Sequence, residues 1–229
     1  MLLYEFSTKL EYHDVLNIQL FDNYTLKPNI RDKLLQIANL FKIDCNLSED
    51  LVEDYYLVGG NANMNYTSQS DIDVHLIVDF SKINSGVINL ADYFKAKKEL
   101  WTNNHTITIA GYPVELYIQD STATFPKDQG CYSLKQDRFI ITPKHVKVNY
   151  DDPKLIKKVK EFIHKIDIAN EIISLKSIKD KLKILRTIGL QRGGEFSYEN
   201  LLFKSLRNLG YLETLDKKYK QIRDKSLSL

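Results

Sequence analysis

The sequence has two cysteines, Cys45 and Cys131, in 229 residues. That is too few for a disulfide framework or a cysteine-based zinc site. No apolar run is long enough to cross a membrane. The start, Met1-Leu2-Leu3-Tyr4-Glu5-Phe6, lacks the charged head and apolar core of a signal peptide. Repeats, low-complexity tracts and sustained heptads are missing too. These absences predict a cytoplasmic protein with no membrane partner.

What is present suits a packed globular chain. Hydrophobic residues make up 43% and charged residues 27%. That composition supports a core and argues against disorder. The length fits one large domain or two small ones. The net charge of +2 hides an asymmetry. Residues 151–229 hold 18 Lys/Arg against 11 Asp/Glu, about +7, whereas 1–150 hold 14 against 19, about −5. A basic half can hold a triphosphate or a nucleic acid. For any single lysine, solvation of a helix surface explains it as well.

Hydrophobic spacing divides the chain the same way. A stripe from Ile30 to Phe41 predicts a helix over 29–41. Asn46 with Glu49 reads as a capping box for a helix from Leu47 to Asp54. Strands are expected at 55–58 and 71–79, a helix at 89–101 and a hairpin at 105–119 around Gly111 and Pro113. Two short strands follow at 130–134 and 138–141. Pro143 and Asp151-Asp152-Pro153 mark a boundary. Beyond it, Leu155 to Ile173 traces a long amphipathic stripe. Further helices are expected around 178–188, from Ser197 to Leu209, and over 212–225. The expectation is an α/β (α+β) fold: a mixed-sheet domain with N-terminal helices over 1–150 and a helical domain over 151–229.

The chemistry concentrates between Tyr55 and Ile118. Leu57-Val58 runs into Gly59-Gly60, where a strand ends and a phosphate can approach the backbone. Asn61-Ala62-Asn63-Met64 can start a short helix whose N–H groups face an anion. Asn61, Thr67, Ser68 and Ser70 add uncharged donors. In the next strand Asp71, Asp73 and His75 share one face, and Ile72, Val74, Leu76 and Val78 the other. Neighbouring carboxylates repel unless solvated or bridged by a cation, and Mg²⁺ prefers such oxygen ligands. Asp-x-Asp alone is also common on solvated strands. Glu115 lies with Tyr117 on the polar face of a later strand and can complete a three-acid site. His75 reads as a packing or hydrogen-bonding residue, since a Mg²⁺ site prefers oxygen.

Val58-Gly59-Gly60, Asp71-Ile72-Asp73 and Glu115 together resemble the motif of the nucleotidyltransferase superfamily that includes DNA polymerase beta, the CCA-adding enzymes and the oligoadenylate synthetases. More narrowly, the chain looks like small predicted nucleotidyltransferases of tailed bacteriophages. That closer likeness rests on Asn63-Met64-Asn65-Tyr66-Thr67, Ser70 to His75, Gly130-Cys131-Tyr132-Ser133 and Gly194 to Leu201. In a phage-encoded protein, cytoplasm would mean that of the host. The resemblance implies transfer of an NMP from an NTP to a hydroxyl, with Asp71, Asp73 and Glu115 catalytic. It implies two Mg²⁺ ions on those acids, with Mn²⁺ a possible substitute, and a helical domain that closes the cleft. Gly60 stands where many members carry a serine that contacts phosphate. That contact then falls to backbone, Ser68 or Ser70.

In the helical half, Arg192-Gly193-Gly194-Glu195 reads either as a phosphate or base contact or as a plain helix connection. Lys181, Arg186, Lys204 and Arg207 are further phosphate candidates. The expected nucleotide contacts are Gly59, Gly60, Asn61, Ser68, Ser70, Arg186 and Arg192. RNA is the first choice of acceptor, and Tyr132 or Tyr198 could stack on a base. A protein hydroxyl, a small molecule or a second nucleotide stay open. A non-catalytic nucleotide or RNA sensor and an antitoxin or anti-defence partner protein are the rival readings.

Overall fold

Strand alternation and helical stripes set the order of elements in the computed structural model, which describes residues 7–83, 86, 89–127, 129–146 and 148–228. A small hairpin, β1 (Phe21–Asp22) and β2 (Thr25–Leu26), leads into helix α1 (Pro28–Asp44). Then come β3 (Val52–Val58), β4 (Ile72–Val78), α2 (Leu90–Asn104), β5 (Thr108–Ile109), β6 (Tyr112–Asp120), β7 (Cys131–Ser133) and β8 (Arg138–Ile141). Four helices follow: α3 (Pro153–Ile168), α4 (Ile172–Gly193), α5 (Tyr198–Asn208) and α6 (Tyr211–Leu227). The fold is α/β, with a mixed sheet followed by helices.

Residues 12–145 make one compact unit, and the residues on either side of it make the other. In the first, six strands form one sheet in the order β5-β6-β4-β3-β7-β8. β4 and β6 run parallel, and the other pairs are antiparallel. A parallel pair needs a crossover, which α2 supplies. The alternation of β4 appears directly in burial. Ile72, Val74, Leu76 and Val78 are fully buried, and Asp71, Asp73 and His75 are half-buried. The aliphatic side shares one core with Leu34, Ile37 and Phe41 of α1 and Phe94 and Trp101 of α2. Phe41 meets Trp101 edge to face at 5.4 Å. α1 and α2 therefore cover the apolar side, and Lys98 of α2 reaches Glu115. Cys45 and Cys131 are free, buried thiols, and burial raises both pKa values to about 12.

The helical unit has its own core, built from Leu155, Val159, Phe162, Leu175, Leu182, Leu202, Leu206 and their neighbours. Gly189 allows α4 and α5 to approach closely: a Cβ there would lie 2.7 Å from Ser197 Oγ and 2.8 Å from Glu199 Cβ.

Three expectations needed correction. The helix over 47–54 does not form: a short 3-10 turn over Glu49–Leu51 leads straight into β3. Asn46 ends α1 instead. It adopts φ 55°, and the Asn46 and Leu47 N–H groups return to the carbonyls of Ile43 and Lys42. That is a Schellman-type stop with asparagine in the glycine position. The stripe from Leu155 to Ile173 is broken rather than continuous, because Ala169 turns extended. Lys218 of α6 donates to the carbonyls of Ile166 (2.9 Å) and Asp167 (2.8 Å), satisfying the end of α3. Finally, the 105–119 hairpin turns at Ala110 and Gly111, both at positive φ, and Pro113 lies within β6.

Candidate active site

The site begins where β3 stops. Gly59 adopts φ 75° and ψ −162°, a region that is essentially glycine's alone. A Cβ on Gly59 would lie 2.1 Å from Asp73 Oδ2, so the Asp73 carboxylate rests on the bare α-carbon. Register explains the contact, since Val58 pairs with Asp73 across β3 and β4. At Gly60 a Cβ would come within 3.0 Å of Ser70 Oγ. Ser70 Oγ accepts from the Thr67 N–H at 2.9 Å, which closes the 67–70 loop.

The turn after Gly60 is a single 3-10 turn over Gly60–Ala62, not a longer helix. It is clamped by two asparagines. Asn61 is fully buried, donates from Nδ2 to the Asp71 carbonyl at 3.0 Å and accepts from Asn17 at 2.8 Å. Asn63 donates to the Gly59 carbonyl and accepts from the Gly130 N–H, each at 2.7 Å. Gly130 must be small there, because a Cβ would sit 2.0 Å from the Ala62 carbonyl oxygen. Ser68 is exposed at the loop tip.

Glu115 stands beside Asp73 in the parallel register of β4 and β6, on the same side of the sheet. Its Oε2 accepts from Lys98 Nζ at 2.7 Å and from the Tyr117 hydroxyl at 2.5 Å. Lys98 Nζ also lies 3.9 Å from the Tyr117 ring centre. Tyr117 holds its proton far above the ordinary phenol range. Burial is the largest cause, then the bond to Glu115, then the charges of Asp73, Glu115 and Asp71. All three carboxylates thus act on one phenol. His75 shares their face, with Nδ1 2.5 Å from Gln119 Oε1. Burial first, and then the Lys98 charge, lower its pKa, while the Gln119 bond opposes the shift.

Among the described residues, no group of three or more His, Cys, Asp and Glu side chains is arranged to hold a metal ion. The donor set still fits Mg²⁺ in kind: three carboxylates on adjoining positions of one sheet face. Lys98 is the cation that meets Glu115 here. Its position between Phe94 and Trp101 was the sequence signal, a lysine in the buried stripe of α2, and sequence reasoning passed over it.

No family model matches this chain. No curated protein matches it either, so the narrower phage likeness rests on its quoted residues. Solved structures with some similarity include the CdnE cyclic dinucleotide synthase of Elizabethkingia meningoseptica, at 13% identity and TM-score 0.29, covering 85% of this chain and 75% of that one. Another is the CdnC:HORMA-deltaN complex of E. coli MS115-1, at 14% identity and TM-score 0.25, covering 87% and 67%. A third is the CdnE c-UMP-AMP synthase of Rhodothermus marinus, at 14% identity and TM-score 0.24, covering 82% and 77%. Likeness at this level decides nothing about the chemistry of this chain.

The helical unit distributes its cations. Arg186 and Arg192 are both exposed and lie six residues apart, about 240° round α4, so they do not share a face. The Arg186 guanidinium lies 4.7 Å from the Phe203 ring centre. Gly194 caps α4 at φ 66°, so the Gly-Gly loop has a structural role whatever else it does. Lys204 pairs with buried Glu195. Tyr132 is fully buried between the Leu26 N–H and Asp137 and cannot stack on a base. Tyr198 is exposed and donates to the Lys154 carbonyl at 2.8 Å.

Proposed function

We propose that this chain is a metal-dependent nucleotidyltransferase that moves an NMP from an NTP to an acceptor hydroxyl. One observation carries the reading: the Asp73 carboxylate lies on Gly59 at a strand end, in register with Glu115. When bound, two Mg²⁺ ions (or Mn²⁺) held by Asp71, Asp73 and Glu115 supply a lowered pKa for the acceptor hydroxyl and neutralise charge on the leaving pyrophosphate.

The rest falls to the chain's own residues. Gly59 and Gly60 let the triphosphate approach the backbone. Asn61 holds the Asp71 main chain and so orients that carboxylate. Ser68 and Ser70 are assigned phosphate oxygens, replacing the serine that Gly60 lacks. Glu115 is assigned the acceptor's proton, with Lys98 Nζ and the Tyr117 hydroxyl donating to its Oε2. Arg186 and Arg192 are assigned phosphate contacts. The charge of about +7 over residues 151–229 makes RNA the first choice of acceptor.

The test is pyrophosphate release from mixed NTPs with Mg²⁺, with and without total RNA. Asp73→Asn is expected to abolish release yet melt at or above the wild-type temperature, because it removes repulsion between neighbouring acids. Unchanged release from Asp73→Asn would overturn the reading. A second reading is a non-catalytic nucleotide or RNA sensor, which the engagement of Glu115 by Lys98 favours. It predicts NTP binding without pyrophosphate.

A further inference from the structure

Just ahead of the first hairpin, one buried asparagine is tied to the turn that follows Gly60. The Asn17 carbonyl accepts from the Leu20 and Phe21 N–H groups at 2.9 and 2.8 Å. Its Oδ1 accepts from the Gln19 N–H at 3.0 Å. A backbone N–H can only donate, so that bond decides which way round the Asn17 amide lies. Nδ2 is thereby turned to Asn61, whose Oδ1 accepts from it at 2.8 Å. Asn61 in turn presents Nδ2 to the Asp71 carbonyl at 3.0 Å. Both asparagines are buried. Turning the Asn61 amide over would set donor against donor and acceptor against acceptor away from water, which is costly. The direction of this relay is therefore fixed at its Gln19 end. Asp71 lies one residue ahead of β4, and the pairs between β3 and β4 stop at Asp73. The ladder to β3 thus ends short of Asp71, and the Asn61 amide takes hold of its main chain. Four residues before Asn17, the His13 N–H donates to the Met64 carbonyl at 2.7 Å, and the His13 ring stacks on Tyr66 at 3.9 Å. The segment therefore grips the 61–66 stretch at both ends.

We propose that Asn17 is a positioning residue for the acidic site: acting through Asn61, it fixes the main chain from which the Asp71 carboxylate reaches a divalent cation. This rests on the nucleotidyltransferase reading, which assigns Asp71 to the metal. A hard cation accepts its oxygen ligands only within a narrow range near 2.1 Å for Mg²⁺, so slack in a ligand's backbone weakens binding. Partners one step behind a metal ligand commonly govern 10–100-fold of affinity. The other asparagine of the turn is set by the same device. The Gly130 N–H fixes Asn63 Oδ1, which leaves Nδ2 for the Gly59 carbonyl.

The experiment titrates the full chain with Mn²⁺, reading free ion by electron paramagnetic resonance. Without metal, NMR follows hydrogen exchange of the Asn61 side-chain amide, assigned by its loss in Asn61→Ala. Asn17→Ala removes the donor. Asn17→Asp keeps the shape but puts an acceptor where the donor was, so the Asn61 amide must turn away from the Asp71 carbonyl. Each variant is expected to weaken Mn²⁺ about tenfold or more. Asn17→Ala should also speed the Asn61 amide exchange at least about tenfold. In an Asn61→Ala background, adding Asn17→Ala should change Mn²⁺ affinity by less than about twofold, because the relay is already cut. A plain loss of packing would instead weaken both backgrounds alike. Circular dichroism checks folding, and if one Asn17 variant does not fold the other carries the test. Wild-type Mn²⁺ affinity in a folded Asn17 variant, unchanged exchange at Asn61, or additive losses in the double variant would each overturn the proposal. If Asp73→Asn loses Mn²⁺ while the Asn17 variants keep it, this inference alone falls. If the wild type takes up no Mn²⁺, the nucleotidyltransferase reading falls and takes this inference with it.

Discussion

At the scale of single residues, two positions decide what the acids can do. Gly59 is the first. Alanine there meets both a forbidden backbone and the Asp73 carboxylate. Gly59→Ala should cost about 1–3 kcal/mol from the backbone alone. It should also abolish pyrophosphate release at temperatures where the variant is still folded. A denaturant melt alongside the release assay checks both, and full turnover in the folded variant would free Asp73 from its assigned role. Lys98 is the second. It and Glu115 are both largely shielded, with side-chain exposures of 20% and 29%. Lys98→Met should destabilise by about 1–2 kcal/mol, since it removes the cation from a hydrogen-bonded carboxylate. If Mg²⁺ bridges the acids, saturating Mg²⁺ should recover part of that loss. Equal losses with and without Mg²⁺ would detach Lys98 from the metal chemistry.

Elements position these residues through a few contacts where a side chain has no room. The start of β7 is pressed against the turn that carries Gly60, Asn61 and Ala62. Gly130 meets the Ala62 carbonyl, and its N–H is held by Asn63. Gly130→Ala must therefore push the turn away. Overpacking of this kind costs roughly 1–3 kcal/mol. The expected result is a lower denaturation midpoint, together with weaker NTP binding, because the displaced turn also carries Asn61. A wild-type midpoint and affinity would show that the strand end can shift without cost. The same logic explains how elements were misjudged from sequence. Asn46 and Glu49 carry the spacing of a capping box, but Asn46 is consumed in stopping α1. A local motif cannot say which of two neighbouring elements will use it.

Across the whole molecule, charge is divided along the chain. The basic residues after 150 are mostly on exposed helix faces, and many have local partners, such as Lys158 with Glu161 and Lys217 with Glu213. Arg192 tests whether the surplus reaches a nucleic acid or nucleotide. Arg192→Glu should weaken RNA or NTP binding and flatten its salt dependence, while stability changes by no more than about 0.5 kcal/mol. Titrations at two salt concentrations measure this. Identical affinities and slopes would reduce Arg192 to a solvating charge.

The alternation of β4 and the glycines after Val58 were legible because they follow from local geometry. A strand's side chains must alternate, and a chain turning at φ 75° and ψ −162° demands glycine. The sequence by itself therefore determined the shared face of Asp71 and Asp73, the turn beside them, and the change from sheet to helices. It did not determine who meets whom across long separations. Lys98 comes to Glu115, Gly130 to Asn63 and Lys218 to the end of α3. Those pairings arise when distant elements pack, and no periodicity within one element encodes them. Tertiary structure alone decided that Glu115 meets a lysine, because that depends on which helix faces the core leaves uncovered.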